Sequence, residues 1–507
     1  MGTTIKKIDM PSGAKESFDD VSAIKGTLTP EIVIALCGPM GTPLHAVAEN
    51  FKELLLGSDY HYETVNIIKL SDEIRNVSEL QNEKSISKLI EAGNTLREKY
   101  GNEVLAKLAI RKISLEREKT SGNKMPEDSA PEATVRHCHI IDSVKHKDEL
   151  KLLRSVYGEM LYVVGVYAPI ELRIAQLEKN KQGNENIYEL IDRDSGEEND
   201  HGQRVSDTFP LADFFLRIEQ QTDTHRKKRV KRFLDLILGT SIITPTLNER
   251  SMYAAFSAAR NSACLSRQVG AAISDEKGDV LATGWNDVPK AFGGLYQNDS
   301  LIGASDQDHR CWNINGGKCF NDEEKDLIST AIIDLLIKEA VLKEADREKT
   351  FEIIRKGSQL KNLIEFSRAV HAEMHALLNA GAVHGSKISG GKLFVTTYPC
   401  HSCARHIVAA GIKEVYFLEP YRKSLATKLH EDAITENEND NSKVRIMPFD
   451  GVAPSRFLHF FSSHPQGRKQ DDGRLKRAEA YPVTSVTMEA IPTLESLVVR
   501  GLESQKI

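Results

Sequence analysis

The sequence predicts two α/β domains in tandem, and three observations support this fold class. Between residues 31 and 220, apolar runs of strand length alternate with amphipathic segments of helical length, as in a parallel sheet with crossover helices. Between residues 251 and 465, a hairpin pattern precedes a second strand and helix alternation, which predicts a mixed sheet. The 507 residues are enough for about two to four domains, each with its own core.

The first domain, residues 31–220, is expected to follow a flexible polar tail, residues 1–30, because the tail has few periodic apolar positions. Its first strand is the apolar run EIVIALCG, which begins at Glu31 and ends in a glycine. The other predicted elements are the strands HCHIID and LYVVGVYAP and the helices KDELKLLRSVYG and IELRIAQLEKN.

A basic linker helix, residues 221–250, is predicted from the segment HRKKRVKRFLDLIL. The second domain, residues 251–465, begins with the helix SMYAAFSAARNSA and a hairpin that turns at Lys277–Gly278. After an insertion at about residues 290–360, the predicted elements are a helix from His371, the strand GKLFVTTYP, the helix CARHIVAAGI, the strand EVYFLEP, a helix near LATKLHEDAI and the strand KVRIMPF. The C-terminal extension, residues 466–507, has no predicted element.

Composition predicts an ordinary cytoplasmic protein. The net charge of -6 and 28% charged residues do not indicate a nucleic-acid binder. The longest apolar runs are too short to span a bilayer, and the polar start has no signal-peptide core, so no membrane partner is expected. The seven cysteines are sparse and odd in number, and clustered ones are therefore interpreted first as metal ligands.

The segments HAEMHALLNA and TYPCHSC together predict a catalytic metal site. His371 begins a helix, and Cys400 and Cys403 lie three residues apart where a strand gives way to a helix. One imidazole and two thiolates make a three-ligand Zn²⁺ site with an open fourth position. Glu373 is then placed to move a proton between water and a leaving nitrogen. H-x-E followed by P-C-x-x-C, with Pro399 as its proline, is the signature of zinc nucleobase deaminases.

Each motif alone has a simpler interpretation. A lone C-x-x-C is most often a structural zinc or redox pair, and a lone H-x-E carries little information. A metalloprotease interpretation of HAEMH fails because Glu373 comes one position too late after His371. His375 is therefore expected to be a helix-face residue and not a ligand.

From about Met252 to Asp450 the chain resembles the dCMP deaminase branch of the cytidine deaminase superfamily. The resemblance includes SRQVGAAI, GWNDVP and CARHIVAAGIKEVYF besides the metal motifs. It implies a three-layer α/β/α fold with a mixed sheet and hydrolytic deamination at C4 of a cytosine nucleotide. By position, it also implies that Asn286 and Arg267 lie near the sugar and phosphate. A turn asparagine and an exposed arginine are the simpler alternatives for these two residues.

The turn CGPMGTPLHAV resembles a phosphate loop that has lost its lysine. Counted from Gly38, Leu44 occupies the lysine position, so efficient phosphoryl transfer is not expected. Asp142 resembles a Walker B acid, and the segment RDSGEENDHGQRVSDTFPLADFF resembles a kinase lid. The first domain is thus interpreted as a degenerate P-loop kinase-like fold, with Gly38, Gly41 and Thr42 as candidate nucleotide-binding residues. A turn without a ligand is the alternative.

The two halves together resemble the bacterial anti-phage dCTP deaminases. That resemblance implies dCTP and often dCMP as substrates, depletion of the dCTP pool in phage defence, a small regulatory RNA as a partner, and a homo-oligomer. The basic run Arg226–Arg232 has six positive charges in seven residues and can be interpreted as a phosphate-binding surface or as a solvated helix face, which we favour.

Other interpretations remain open at the level of sequence. The family resemblance allows a second, structural zinc site, and its candidate ligands are Cys264, His309, Cys311 and Cys319. Alternative functions are a nucleic-acid cytosine or adenine editing deaminase, a housekeeping dCMP deaminase, and a regulatory nucleotide- or RNA-binding protein with structural zinc. Editing is disfavoured because aromatic content is 6% and no aromatic and basic residues interleave.

Overall fold

The computed structural model describes most of the chain. The predicted tail lies outside this part up to residue 26, and so do residues 193–203, about half of the segment that resembles a kinase lid. The described residues are 27–83, 85–121, 135–180, 186–187, 191, 204–218, 222–298, 308–420, 424–463, 467–476, 479–488 and 490–505.

The first half forms a parallel sheet with helices on its faces, as the sequence predicts. Its strand order is β5-β4-β1-β3-β2, and every pair among these five is parallel. The strands β1 and β4 are buried almost throughout, which explains their continuous apolar runs. The elements are β1 (Ile32–Cys37), α1 (Leu44–Leu56), β2 (Thr64–Lys69), α2 (Leu70–Val77), α3 (Ile86–Tyr100), α4 (Val104–Ser121), β3 (His137–Asp142), α5 (Lys147–Tyr157), β4 (Leu161–Tyr167), α6 (Ile170–Asn180), α7 (Val205–Thr208) and β5 (Phe214–Arg217).

Two helices connect this sheet to the second half. The predicted basic helix is α8 (Asp223–Leu238), and α9 (Leu247–Ala259) follows it. Thr246 and Glu249 form a capping box that fixes the start of α9. Both predicted helices are present, but the basic helix ends at Leu238 and does not extend to residue 250, because Gly239 in a left-handed conformation ends it.

The second half contains a mixed six-stranded sheet in the order β10-β11-β9-β8-β6-β7, with the hairpin strands antiparallel. The predicted elements are confirmed, except that the helix near LATKLHEDAI is only one turn, α14. The elements are β6 (Gly270–Ser274), β7 (Val280–Trp285), α10 (Phe320–Lys338), α11 (Arg347–Glu352), α12 (Ala372–His384), β8 (Lys392–Thr397), α13 (His401–Ala409), β9 (Glu414–Glu419), α14 (Ala426–Leu429), β10 (Ile434–Thr435) and β11 (Val444–Pro448).

Two glycines let helices pack closely on opposite faces of this sheet. A side chain at Gly270 would meet the α9 backbone, because its Cβ would lie 1.9 Å from the Ala255 oxygen. A Cβ at Gly284 would lie 2.3 Å from the Ala376 nitrogen in α12. Gly284 pairs with Ala271, the neighbour of Gly270, so the two glycines face opposite sides. The sheet is thus the middle of three layers.

The end of the chain returns to the first sheet. Strand β12 (Gly451–Val452) pairs antiparallel with β5 and forms its edge. After the one-turn helix α15 (Phe457–Phe460), helix α16 (Ile491–Ser504) packs on α4, where Arg117 forms ion pairs with Glu495 and Glu31. Every helix in the described ranges is too short or too polar to cross a membrane.

Candidate metal centre and its surroundings

Three side chains meet where two helices begin. His371 is the N-cap of α12, and Cys400, which follows β8, is the N-cap of α13. The Cys403 backbone N–H donates to the Cys400 sulfur at 3.4 Å, so the thiol serves as the helix cap. The sheet places both helix starts at one end, and this brings residues about thirty positions apart together.

The distances between these side chains fit one zinc ion. The His371 Nδ1 atom lies 3.3 Å from the Cys400 sulfur and 3.4 Å from the Cys403 sulfur. Tetrahedral zinc bonds of about 2.3 Å to sulfur and 2.1 Å to nitrogen separate those atoms by about 3.6 Å. Among the described residues, His371, Cys400 and Cys403 form the one group of possible metal ligands whose ligand atoms all lie within 4.8 Å of one another. A fourth position is therefore left for water or substrate.

Local electrostatics favour thiolate at this point. Hydrogen bonds with Cys403 and His371 lower the pKa of Cys400 to about 4. The contact with Cys400 raises the pKa of His371 to about 9, so the ring must lose a proton when its Nδ1 binds a metal. The donor set of one nitrogen and two sulfurs is one that zinc prefers over calcium or magnesium.

Glu373 lies beside the ligands without being one of them. It is in the first turn of α12, its side chain is buried, and it contacts the Cys403 thiol. Burial raises the pKa of its carboxyl group. A buried carboxyl group with a raised pKa, next to a metal site, is suited to exchange protons at neutral pH.

His375 points away from the ligand cluster. Its Nδ1 atom accepts a hydrogen bond from the Trp285 backbone N–H at 3.2 Å, and its ring packs edge-on against the Trp285 ring. The expectation that His375 is a helix-face residue agrees with this position, although its face is buried.

Asn286 and Arg267 are neighbours at the open end of the hairpin, where Arg267 precedes β6 and Asn286 follows β7. The Asn286 Oδ1 atom accepts from the Val269 N–H at 2.7 Å, and its Nδ2 donates to the Arg267 carbonyl at 2.8 Å. One N–H and one lone pair of the amide remain for a ligand. The Arg267 guanidinium is 57% exposed and lies 3.7 Å from Glu419.

Asp287 and Arg310 form a buried network that sequence reasoning missed. The Asp287 carboxylate accepts from the Ala263 and Val288 backbone N–H groups at 3.0 and 2.8 Å and lies 3.4 Å from the Arg310 guanidinium. The Asp287 carbonyl accepts from the N–H of Val370, which precedes the ligand His371. The sequence signal that could have indicated this network is Asp287 itself, an acid directly after Asn286. Its partners Ala263 and Arg310 are more than twenty residues away in sequence, so the network could not be predicted.

The candidate ligands of a second metal are only partly assembled. Cys264, Cys311 and Cys319 line one small pocket. Within the described ranges their sulfurs do not meet the 4.8 Å spacing of the first group. The His309 ring packs against Tyr296, with the ring centroids 5.7 Å apart.

The loop after β1 has the shape of a tight turn. A Cβ on Gly38 would lie 2.4 Å from the Val166 carbonyl, and Gly41 has a φ of +81°. Glycine is therefore required at both positions by packing and backbone conformation. The Thr42 hydroxyl is buried and has no hydrogen-bond partner among the described residues. Beside the loop, Lys145 donates to the Gly38 carbonyl at 2.8 Å.

The basic run on α8 is largely neutralised within the chain. Five of its six cations lie within ion-pair distance of acids. The pairs are Arg226 with Asp223, Lys227 with Glu53, Arg229 with Asp450, Lys231 with Asp59, and Arg232 with Glu249. This pairing favours the interpretation of the run as a structural helix face.

Comparisons with known proteins agree with the second half of the chain. Residues 245–419 match the family described as the cytidine and deoxycytidylate deaminase zinc-binding region. The deoxycytidylate deaminase of Enterobacteria phage T2 is 30% identical over 172 residues, which cover 34% of this chain and 78% of the phage protein. The ComE operon protein 2 of Bacillus subtilis is 41% identical over 68 residues, 13% of this chain and only 35% of that protein.

A solved structure also matches part of this chain. It is a dCMP deaminase of the cyanophage S-TIM5 in complex with dCMP and dUMP, at 21% identity and a TM-score of 0.24. The match covers 41% of this chain and 99% of that one.

Proposed function

Because this chain belongs to the cytidine and deoxycytidylate deaminase family, we propose that it removes the C4 amino group of a deoxycytidine nucleotide by hydrolysis. The reaction converts dCTP or dCMP and water into dUTP or dUMP and ammonia. The observation that supports it most is the meeting of His371, Cys400 and Cys403 beside the buried carboxyl group of Glu373.

The ligand set and the acid divide the chemistry between them. His371, Cys400 and Cys403 would hold a zinc ion, which when bound lowers the pKa of a water molecule to about 7. Glu373 takes a proton from the attacking water and returns it to the departing amino group. Because its side chain is buried, bulk water does not compete for that proton.

Asn286 and Arg267 are proposed to bind the sugar and phosphate. The unused N–H and lone pair of Asn286 can contact a sugar hydroxyl, and its bonds to the backbone hold the amide in a fixed orientation. The half-exposed guanidinium of Arg267 can form two parallel hydrogen bonds to a phosphate.

Residues 31–220 are proposed to form a degenerate P-loop kinase-like domain that binds or senses a nucleotide. The parallel sheet, the glycine turn after β1 and the acid Asp142 at the end of β3 support this proposal. The buried, unpaired hydroxyl of Thr42 would contact a phosphate held by the turn at Gly38 and Gly41.

The resemblance to anti-phage dCTP deaminases extends the proposal to depletion of the dCTP pool during infection. A small regulatory RNA would then need a surface other than the basic run, whose cations are mostly paired with acids. A homo-oligomer is also proposed. Exposed apolar side chains on α10 and α12, among them Leu335 and Val383, support it, and the mass in solution tests it.

Ammonia release from the purified chain tests the proposed reaction. The substrates are dCTP, dCMP, CTP, deoxycytidine and a single-stranded oligonucleotide, and the zinc content is measured on the same sample. We expect turnover of dCTP or dCMP and about one zinc ion per chain. Preference for dCMP alone favours the housekeeping enzyme, and preference for the oligonucleotide would overturn the proposal in favour of editing.

Two variants separate catalysis from metal binding. Glu373→Ala should lower kcat by about 100-fold to 10,000-fold, the usual contribution of a general acid and base, while zinc is retained. Glu276→Ala is the matched control, because Glu276 is exposed at the hairpin turn. Unchanged turnover in Glu373→Ala would contradict the catalytic role.

A further inference from the structure

A cavity of about 410 Å³ lies between the two halves of the chain, and the described residues that line it do not include the metal ligands. On one side it is lined by the end of α9, the segment before β6, and the carboxyl ends of β8 and β9. On the other side, Phe215 of β5 and the segment after β12, Ala453–Ser455, complete its wall. Its volume is within the range of small-molecule sites, which often lie at such junctions.

Two arginines give the cavity its charge. The Arg260 guanidinium stacks over the Phe256 ring at 4.4 Å and donates to the Gln268 side chain at 3.2 Å. This stacking holds the guanidinium flat on the cavity wall. The second arginine is Arg267, and among the described lining residues Glu419 is the one with a carboxylate.

The pair between Arg267 and Glu419 is weak. Its atoms are 3.7 Å apart, and the two side chains are 57% and 47% exposed. Half-exposed pairs at this distance add little to stability, so a doubly charged anion can compete for the arginine. Two guanidinium groups against one carboxylate leave the cavity net positive, which suits phosphate oxygens.

We propose that this cavity binds the phosphate groups of a nucleotide. The Arg267 carbonyl accepts the hydrogen bond from Asn286, so one short segment forms both the cavity wall and the substrate-side contact. The phosphates can therefore come from the substrate itself, with its chain extending past the sugar, or from a second nucleotide. Binding of the substrate's own phosphates rests on the proposed function, whereas binding of a second nucleotide does not.

Calorimetry tests whether the cavity binds phosphate groups. The protein is the zinc-loaded full chain with the substitution Glu373→Gln, which prevents turnover, and the ligands are dCTP, dCMP and deoxycytidine. A second substitution in this chain, Arg260→Gln or Arg267→Gln, should weaken dCTP binding by roughly tenfold to hundredfold and should weaken deoxycytidine binding by much less. Arg260→Lys, which keeps the charge and loses the fork, should recover part of the loss. Arg250→Gln is the matched control, since Arg250 is exposed on the same helix, α9.

Kinetics on the chain with intact Glu373 separate the two sources. If the substrate's own phosphates occupy the cavity, Arg260→Gln raises KM for dCTP more than for dCMP. If a second nucleotide binds, added dUTP, which has no amino group to lose, changes deoxycytidine turnover noncompetitively, and Arg260→Gln removes that effect.

Equal losses for all three ligands, or no loss for any, in variants with an unchanged unfolding midpoint would overturn the inference. Ammonia release with dCTP affinity independent of Arg260 would overturn it while leaving the proposed function intact. If dCTP binding depends on the arginines but no ammonia is released, the proposed function is wrong and the inference about the cavity stands.

Discussion

Replacement of Asp287 by alanine should destabilise the segments around the metal centre. The Asp287 side chain is 1% exposed, and its carboxylate accepts two backbone hydrogen bonds, from Ala263 and Val288, besides its contact with Arg310. Each hydrogen bond to a charged group contributes about 1.5–3 kcal/mol. Arg310 keeps its second partner, Asp308, so its pairing energy is only partly lost. The expected loss in the free energy of unfolding is about 3–5 kcal/mol.

Catalysis should suffer as well, because the Asp287 carbonyl holds Val370, the residue before His371. Urea unfolding, zinc content and kcat/KM for dCMP are the assays, and we expect kcat/KM to fall at least tenfold. Asp334→Ala, at an exposed aspartate paired with Arg347, should change stability by less than about 0.5 kcal/mol. If Asp287→Ala unfolds within about 1 kcal/mol of the parent and keeps its activity, the network has no supporting role.

Two further predictions concern the first half and its connection to the second. Burial lowers the pKa of His139 to about 4 from an ordinary value of 6.5, so the imidazole binds a proton more tightly in the unfolded chain. The free energy of unfolding therefore decreases as the pH is lowered from about 6.5 to about 4. Between pH 7 and pH 5, the parent should lose about 2 kcal/mol more unfolding free energy than His139→Phe, and parallel curves would refute this. Glu249→Gln should cost about 2–4 kcal/mol, measured by urea unfolding, because the buried carboxylate binds Arg232 and the Val452 N–H of β12. An unchanged midpoint would show that this carboxylate does not stabilise the connection.

The metal centre was predictable because its residues carry their own spacing and secondary structure. His371 and Cys400 each directly precede a helix, and the strand between them sets their relative position. The hairpin at Lys277–Gly278 was predictable for the same reason, since turn residues and alternating strands are local signals. Both depend on contacts within short stretches of chain.

The missed features depend on contacts between distant residues. The two residues of β12 are too few to show a strand pattern, and their pairing partner β5 lies more than two hundred positions earlier. Asp287 and Arg310 likewise meet only through the fold. Helix α16 did have a signal, because Ile491, Leu494, Val498 and Leu502 recur at helical spacing and pack on the core.

Deamination of a cytosine nucleotide is proposed to depend both on a zinc site formed by His371, Cys400 and Cys403 and on the carboxylate of Glu373. The most direct measurement is zinc content and ammonia release from dCTP and dCMP, compared between the parent chain and Glu373→Gln. We expect about one zinc ion per chain in both proteins and ammonia from the parent alone. Equal ammonia release from both, or a parent that holds zinc and deaminates neither nucleotide, would contradict it.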